Sequence, residues 1–132
     1  FYFYMFISST GYYVPEGRVA NSYFAGLSGK TEDWYDQRTG ILSRSRSNEK
    51  ETIDYMSIEA VKHAATNLPY KISEVDLIIF ASYTPGDTIG TTAHVIQREF
   101  NIPDARVFYI SVACSSAINA MEIIKSFFGT KM

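Results

Sequence analysis

Cysteine is almost missing from this sequence, since Cys114 is the only one among 132 residues. A single thiol cannot form a disulfide within the chain and cannot build a thiolate zinc site, so we expect no metal site. This use of cysteine suits the cytoplasm, which is the expected location. The hydrophobic share of 46% and the charged share of 20% are ordinary for a soluble globular protein and argue against disorder.

An excess of charge of one sign is also missing. The formal net charge is -2, and no basic stripe could neutralise phosphates, so nucleic acid is not an expected partner. No glycine-rich phosphate loop of the GxGxxG or Walker type occurs. The apolar run at residues 1–7 is too short to cross a bilayer, so we expect no membrane partner.

Strand and helix patterns alternate along the chain. The helical patterns cover residues 22–27, 32–39, 52–68, 92–100 and 113–128. The strand patterns cover residues 1–9, 76–82 and 106–112, while residues 42–51 are polar and predict a loop. This alternation predicts an α/β fold with parallel strand pairing and helices layered on the sheet.

Cys114 lies at one of the two places where chemistry is expected in an open parallel sheet, where strands end and helices begin. Residues 83–91 form the other place. The pattern predicts Cys114 in the first turn of a helix, where unpaired N–H groups favour a thiolate and could hold an oxyanion. The alternative is a small buried structural cysteine. Neither His63 nor His94 is placed by any sequence pattern as its base.

Trp34 and Arg38 stand four residues apart in a short predicted helix that Thr31 can cap and Gly40 ends. The spacing puts both side chains on one helix face. They could hold a flat ring between them by stacking and cation–π contact. An exposed structural aromatic is the alternative interpretation.

Four stretches form a series that matches a known family in order and spacing: residues 9–16, 33–44, 77–85 and 112–115. They resemble β-ketoacyl-acyl carrier protein synthase III, the initiating condensing enzyme of type II fatty acid synthesis. The resemblance covers essentially the whole chain. Its most specific parts are the Trp-xxx-Arg-Thr-Gly-Ile segment from Trp34 and the Val-Ala-Cys-Ser helix start at Cys114.

The resemblance implies the N-terminal half of a thiolase-like fold, an α/β structure with a mostly parallel sheet and flanking helices. Residues 1–132 would form a single truncated N-terminal domain. The family's catalytic His and Asn lie in the C-terminal half, which is absent here, so we expect the chain alone to be inactive. The chain begins without Met and is expected to be a piece of a longer protein.

The resemblance also implies the chemistry. The cysteine matched by Cys114 takes an acyl group from a coenzyme A thioester and condenses it with malonyl-acyl carrier protein, releasing carbon dioxide. Trp34 and Arg38 match residues that hold the coenzyme A adenine. The loop with Ile89 matches the segment that shapes the acyl pocket of the partner in a homodimer. Coenzyme A thioester is a substrate, and no cofactor is implied.

Two residues depart from the family pattern: Ser116 replaces a usual Gly, which predicts a narrower site or a changed acyl choice, and Lys30 replaces a small hydroxyl residue that reads the adenine. A condensing enzyme of specialised metabolism with the same fold is therefore an alternative. A non-catalytic α/β interaction module with a structural cysteine is another. Because aromatic residues make up 15% and the strand at residues 1–7 would lack a partner, we expect the isolated chain to dimerise or aggregate.

Overall fold

The computed structural model describes residues 5–129, which fall into two compact units. Val14–Thr52 form the smaller unit. The larger unit combines the segment before Val14 with the chain from Ile53 onward. Within residues 5–129, no helix is long and apolar enough to cross a membrane.

The smaller unit consists of two short strands and two helices. Strands β1 (Arg18–Ala20) and β2 (Ser43–Ser45) pair antiparallel, with Val19 opposite Arg44. Helices α1 (Asn21–Ser28) and α2 (Glu32–Thr39) lie between them in sequence. Each helix ends at a glycine in the left-handed region, Gly29 at φ 69° and Gly40 at φ 64°, a conformation that only glycine adopts without strain.

Arg44 ties these elements together. Its guanidinium donates to the Asn21 side chain at 2.7 Å and lies 4.6 Å from the centre of the Phe24 ring. Asn21 is buried and donates in turn to the Ile41 carbonyl at 2.8 Å. A buried amide is costly unless hydrogen-bonded, so the smaller unit depends on this chain of partners.

The larger unit is built on a parallel pair of strands, β3 (Leu77–Ala81) and β4 (Arg106–Ile110), with Ile79 opposite Phe108. Helix α4 (Thr92–Glu99) connects them and packs on both strands. Helix α3 (Ile53–Ala65) packs on α4, and α5 (Ser116–Gly129) packs on β3. The buried apolar side chains belong to Ala93, Ile96, Ile102, Ala105 and Ala120.

The described sheets contain one parallel and one antiparallel pair, so the α/β prediction is confirmed but a mostly parallel sheet is not evident. Strand β2 forms inside residues 42–51, where a loop was predicted. Residues 43–45 are polar or charged, so a hydrophobicity pattern does not indicate a strand there. The strand forms because these residues pair with β1.

Three predicted boundaries also change. Residues 5–9 form no strand, and residues 1–4 lie outside the described part; the Ser9 hydroxyl donates to the Ala64 carbonyl at 2.6 Å instead. Helix α3 ends at Ala65, since the next three N–H groups bond back three residues. Helix α5 begins at Ser116 rather than at residue 113.

Gly11 makes a close contact between the segment before Val14 and helix α3. A Cβ at this position would overlap the Ala60 carbonyl oxygen and the Ala64 backbone nitrogen. Backbone atoms of a helix cannot move aside as a flexible side chain does, so the approach depends on glycine.

We therefore predict that Gly11→Ala lowers the free energy of unfolding by about 1–3 kcal/mol, the usual cost of overpacking. Urea unfolding followed by circular dichroism would measure the change. Gly26→Ala is the matched control, because its added methyl group would meet nothing within 4 Å. Equal stability of the two variants would contradict the close packing of Gly11 on α3.

Candidate active site

Cys114 lies in the turn that follows β4, and its side chain is exposed. The prediction of a first-turn helical position is wrong, because α5 begins two residues later at Ser116. Ala113 adopts a left-handed φ of 47°, which only a sharp turn requires of a non-glycine residue. The alternative of a cysteine buried in the core is also wrong, because this turn exposes the thiol to solvent.

Hydrogen bonds to the backbone hold the turn on both sides of Cys114. The Ser115 N–H donates to the Val112 carbonyl at 3.1 Å, and the Ser116 N–H donates to the Ala113 carbonyl at 3.3 Å. The Ser116 hydroxyl accepts from the Val112 N–H at 2.7 Å and donates to the Ala113 carbonyl at 2.9 Å. The Asn119 N–H donates to the Ser115 carbonyl, which starts the helical bonds of α5.

The loop with Ile89 reaches the same edge of the sheet. Because β3 and β4 are parallel, the chain leaving β3 at Ala81 and the chain leaving β4 at Ile110 emerge side by side. Gly90 lies against the ring of Tyr109, and the Tyr109 hydroxyl donates to the Ser82 carbonyl at 3.0 Å. The two segments where chemistry was predicted therefore both follow strands that end at the same edge of the sheet.

Asp87 organises this loop, and sequence reasoning missed it. Its carboxylate accepts from the N–H groups of Ile89 at 2.9 Å, Gly90 at 2.5 Å and Thr91 at 3.2 Å, and also from the Thr91 hydroxyl. These donors, the Thr91 hydroxyl first, lower the pKa of Asp87. An Asp that bonds the next few N–H groups is a known turn signal, so the Pro-Gly-Asp sequence could have revealed it.

Ile89 projects from the loop with 75% of its surface exposed. Exposure of a large aliphatic side chain costs free energy that contact with another surface would recover. The loop is anchored at its other end by Thr92, whose buried hydroxyl donates to the Asp54 carboxylate of α3 at 2.6 Å.

Trp34 and Arg38 lie on α2 in the smaller unit, and both are exposed. The helix begins as predicted, since the Thr31 hydroxyl accepts from the Trp34 N–H at 3.1 Å. The Trp34 ring meets Tyr35 edge-on, with centroids 5.2 Å apart, and the Lys30 ammonium lies 5.6 Å from the Trp34 ring centre. Lys30 is therefore a cation already placed on the ring where a flat ligand is expected.

Neither histidine is bonded to the thiol in the part of the chain that the structure describes. The exposed His63 ring packs edge-on against Tyr12, with centroids 4.6 Å apart. His94 is exposed on α4. Within residues 5–129, no group of three His, Cys, Asp or Glu side chains could hold a metal ion.

Comparison with known proteins bears directly on this arrangement. Over 117 residues, 89% of the chain, the sequence is 38% identical to β-ketoacyl-[acyl-carrier-protein] synthase III of Clostridium botulinum strain 657. It is 33% identical over 121 residues to the protein of the same name from Wolbachia pipientis wMel. The resemblance to β-ketoacyl-[acyl-carrier-protein] synthase III is confirmed. The chain spans 36% and 38% of the lengths of these relatives, and no protein-family model matches it.

Solved structures of β-ketoacyl-[acyl-carrier-protein] synthase III and related enzymes share the fold. The 3-oxoacyl-[acyl-carrier-protein] synthase III of Aquifex aeolicus VF5 superposes with a TM-score of 0.84 at 34% identity, covering 92% of this chain and 39% of that chain. The priming β-ketosynthase of the R1128 polyketide pathway gives 0.81 at 28% identity, covering 89% and 35%. These neighbours have the thiolase-like fold expected from the resemblance to synthase III.

We predict that the order of the Ile89 loop depends on pH through Asp87. Because its folded-state pKa lies below the ordinary value of about 3.9, the stabilisation is complete above that value and is lost as pH falls through the lower folded pKa. The protection factors of the Ile89 and Gly90 amides, which compare their exchange rates with those of an unfolded chain at the same pH, should fall over that range.

Asp87→Asn should produce the same faster exchange at neutral pH, because a neutral amide accepts these bonds more weakly than a carboxylate. Asp104→Asn is the matched control, since Asp104 is exposed in the turn before β4. Unchanged exchange at Ile89 in Asp87→Asn would show that the carboxylate does not organise the loop.

Proposed function

We propose that the chain is the N-terminal part of a β-ketoacyl-acyl carrier protein synthase III, which initiates fatty acid biosynthesis, and that Cys114 is its acyl acceptor. The observation that carries the proposal is an exposed thiol at the carboxyl end of a parallel strand, in a chain 38% identical to such a synthase over 89% of its length. An exposed thiol can be reached by a thioester, whereas a buried one cannot.

In the proposed reaction, the Cys114 thiolate attacks the carbonyl carbon of an acyl-coenzyme A. The new bond joins Sγ to the acyl carbon, and coenzyme A departs as its thiol with the proton that Cys114 loses. Malonyl-acyl carrier protein then loses carbon dioxide, and the resulting carbanion attacks the acyl-cysteine. The β-ketoacyl product forms on the carrier protein as the bond from Sγ to the acyl carbon breaks, and the expelled Cys114 thiolate takes up a proton from solvent to regenerate the thiol.

The two steps place different demands on the protein. Acylation needs a thiolate and hydrogen-bond donors for the oxyanion, whereas condensation also needs groups that stabilise a carbanion. We assign the second set to a His and an Asn in the part of the relatives that the chain does not span. The chain alone would then accept an acyl group without condensing it, and residues 1–132 would act as a single N-terminal domain.

Coenzyme A is the proposed ligand of Trp34 and Arg38, with no separate cofactor. Adenine would stack on the exposed indole, and the guanidinium one helical turn away would contact the other face of the ring or the phosphates. Exposed Ile89 is the proposed contact with the partner's acyl pocket in a cytoplasmic homodimer. The mostly parallel sheet with flanking helices stays a proposal for the N-terminal half of the fold.

A condensing enzyme of specialised metabolism is the second candidate. The fold match to a priming β-ketosynthase of a polyketide pathway, with a TM-score of 0.81, favours it. The two candidates share the Cys114 acylation step and differ in the acyl group that is accepted.

We predict that the chain incubated with acetyl-coenzyme A gains the mass of one acetyl group at Cys114. Intact and peptide mass spectrometry would measure it, and Cys114→Ala would remain unmodified. A panel of longer and branched acyl-coenzyme A thioesters would separate the primary from the specialised candidate. No acylation by any thioester would contradict the acyl-acceptor role and favour a non-catalytic interaction module.

We predict that coenzyme A quenches the fluorescence of Trp34, which is the only tryptophan in the chain. Pantetheine lacks the adenosine part and should not quench it. Arg38→Ala should raise the Kd for coenzyme A by about 2- to 5-fold, since a cation–π contact at an exposed site contributes roughly 0.5–1 kcal/mol. Arg98→Ala, an exposed arginine on α4, is the control. Equal quenching by pantetheine would exclude adenine stacking on Trp34.

A further inference from the structure

The turn that carries Cys114 contains an unfavourable backbone conformation, which contacts with other groups must stabilise. Ala113 has a φ of 47°, and its Cβ makes that left-handed conformation unfavourable by about 1 kcal/mol or more. Ala113 and Cys114 are both exposed, so core packing around their side chains does not impose the conformation. Hydrogen bonds to the turn are the remaining source of order.

Ser116 supplies the best protected of these bonds. The residue is 4% exposed, and its hydroxyl bridges the Val112 N–H at 2.7 Å and the Ala113 carbonyl at 2.9 Å. Both bonded groups precede Cys114 in sequence, whereas Ser116 follows it. The hydroxyl therefore closes a ring of backbone around the cysteine.

Ser115 makes a comparable bond in a different setting. Its hydroxyl donates to the Val112 carbonyl at 2.8 Å, but the residue is exposed. Water can replace the hydroxyl of an exposed residue at little cost, whereas the bonds of Ser116 are made by a buried residue, where replacement by water costs more. Ser115 is thus a matched comparison within the same turn.

The contacts of Ser116 also bear on the interpretation that its side chain narrows the substrate site. The Ser116 hydroxyl donates its proton to the Ala113 carbonyl and accepts from the Val112 N–H, and the residue is buried. These bonds direct the hydroxyl to the backbone of its own turn.

We propose that Ser116 is a positioning residue, which holds the Val112–Ala113 backbone so that the Cys114 thiol is presented for acylation. The proposal rests on the proposed function of Cys114 as acyl acceptor. A glycine at this position, as the resembled family usually has, could not make either bond.

The test compares Ser116→Ala with Ser115→Ala in the complete 132-residue chain. Cys114 alkylation by iodoacetamide would be followed across pH, acetylation by acetyl-coenzyme A at fixed pH, and melting temperature in parallel. We expect Ser116→Ala to shift the pH midpoint of alkylation and to slow acetylation by about tenfold or more, since small misplacements of a reacting group are costly. Ser115→Ala should leave both within about twofold, as expected for an exposed bond.

A second variant keeps the test informative if Ser116→Ala unfolds. Glycine accepts a positive φ without the Cβ penalty, so Ala113→Gly combined with Ser116→Ala should recover much of the alkylation midpoint and rate. A change in melting temperature alone, with unchanged midpoint and acetylation, would overturn the positioning role. Failure of the unmodified chain to acetylate would refute the proposed function, while the alkylation midpoints would still decide whether Ser116 positions the thiol.

Discussion

The parallel pairing of β3 with β4 is the constraint on which the candidate site depends. In a parallel pair both strands end at the same edge of the sheet. The register runs from Leu77 opposite Arg106 to Ala81 opposite Ile110, so the last residues of the two strands lie side by side. The loop with Ile89 and the turn with Cys114 are consequently neighbours, although they are separated by α4 in sequence. An antiparallel pairing of the same strands would place them at opposite ends.

Side chains that bond to nearby backbone groups shape both segments beyond this edge. Asp87 collects three N–H groups and a hydroxyl from the residues that follow it, and Ser116 bridges two groups that precede it. Irregular backbone near a site needs such partners because it has no ladder of its own.

Sequence patterns predicted the helices and strands whose formation depends on residues close to them in sequence. Thr31 and Gly40 define α2 through a cap and a left-handed stop, and the continuous apolar runs define β3 and β4. The patterns failed where the cause is a distant partner: Arg44 belongs to a strand because it faces Val19. The start of α5 was misplaced because Ala113 is a good helix former that the turn holds at positive φ. The side-chain bonds of Asp87 and Ser116 depend on loop geometry, which hydrophobic periodicity does not encode.

A catalytic cysteine usually needs both access for its substrate and a neighbouring base that removes its proton. The position of Cys114 provides the first and not the second. Access is provided by the turn, since the thiol is exposed. Deprotonation by a neighbouring base is not provided by His63, which packs on Tyr12, nor by His94 on α4. The polar groups closest in sequence to the thiol are backbone N–H groups and the hydroxyls of Ser115 and Ser116, and both hydroxyls are already bonded to the turn. In the proposed acylation, the oxyanion of the thioester would need donors other than the Ser115 and Ser116 N–H groups, because both already bond within the turn. In the proposed reaction, condensation would also need groups that stabilise a carbanion, which we assign to the part of the relatives that the chain does not span.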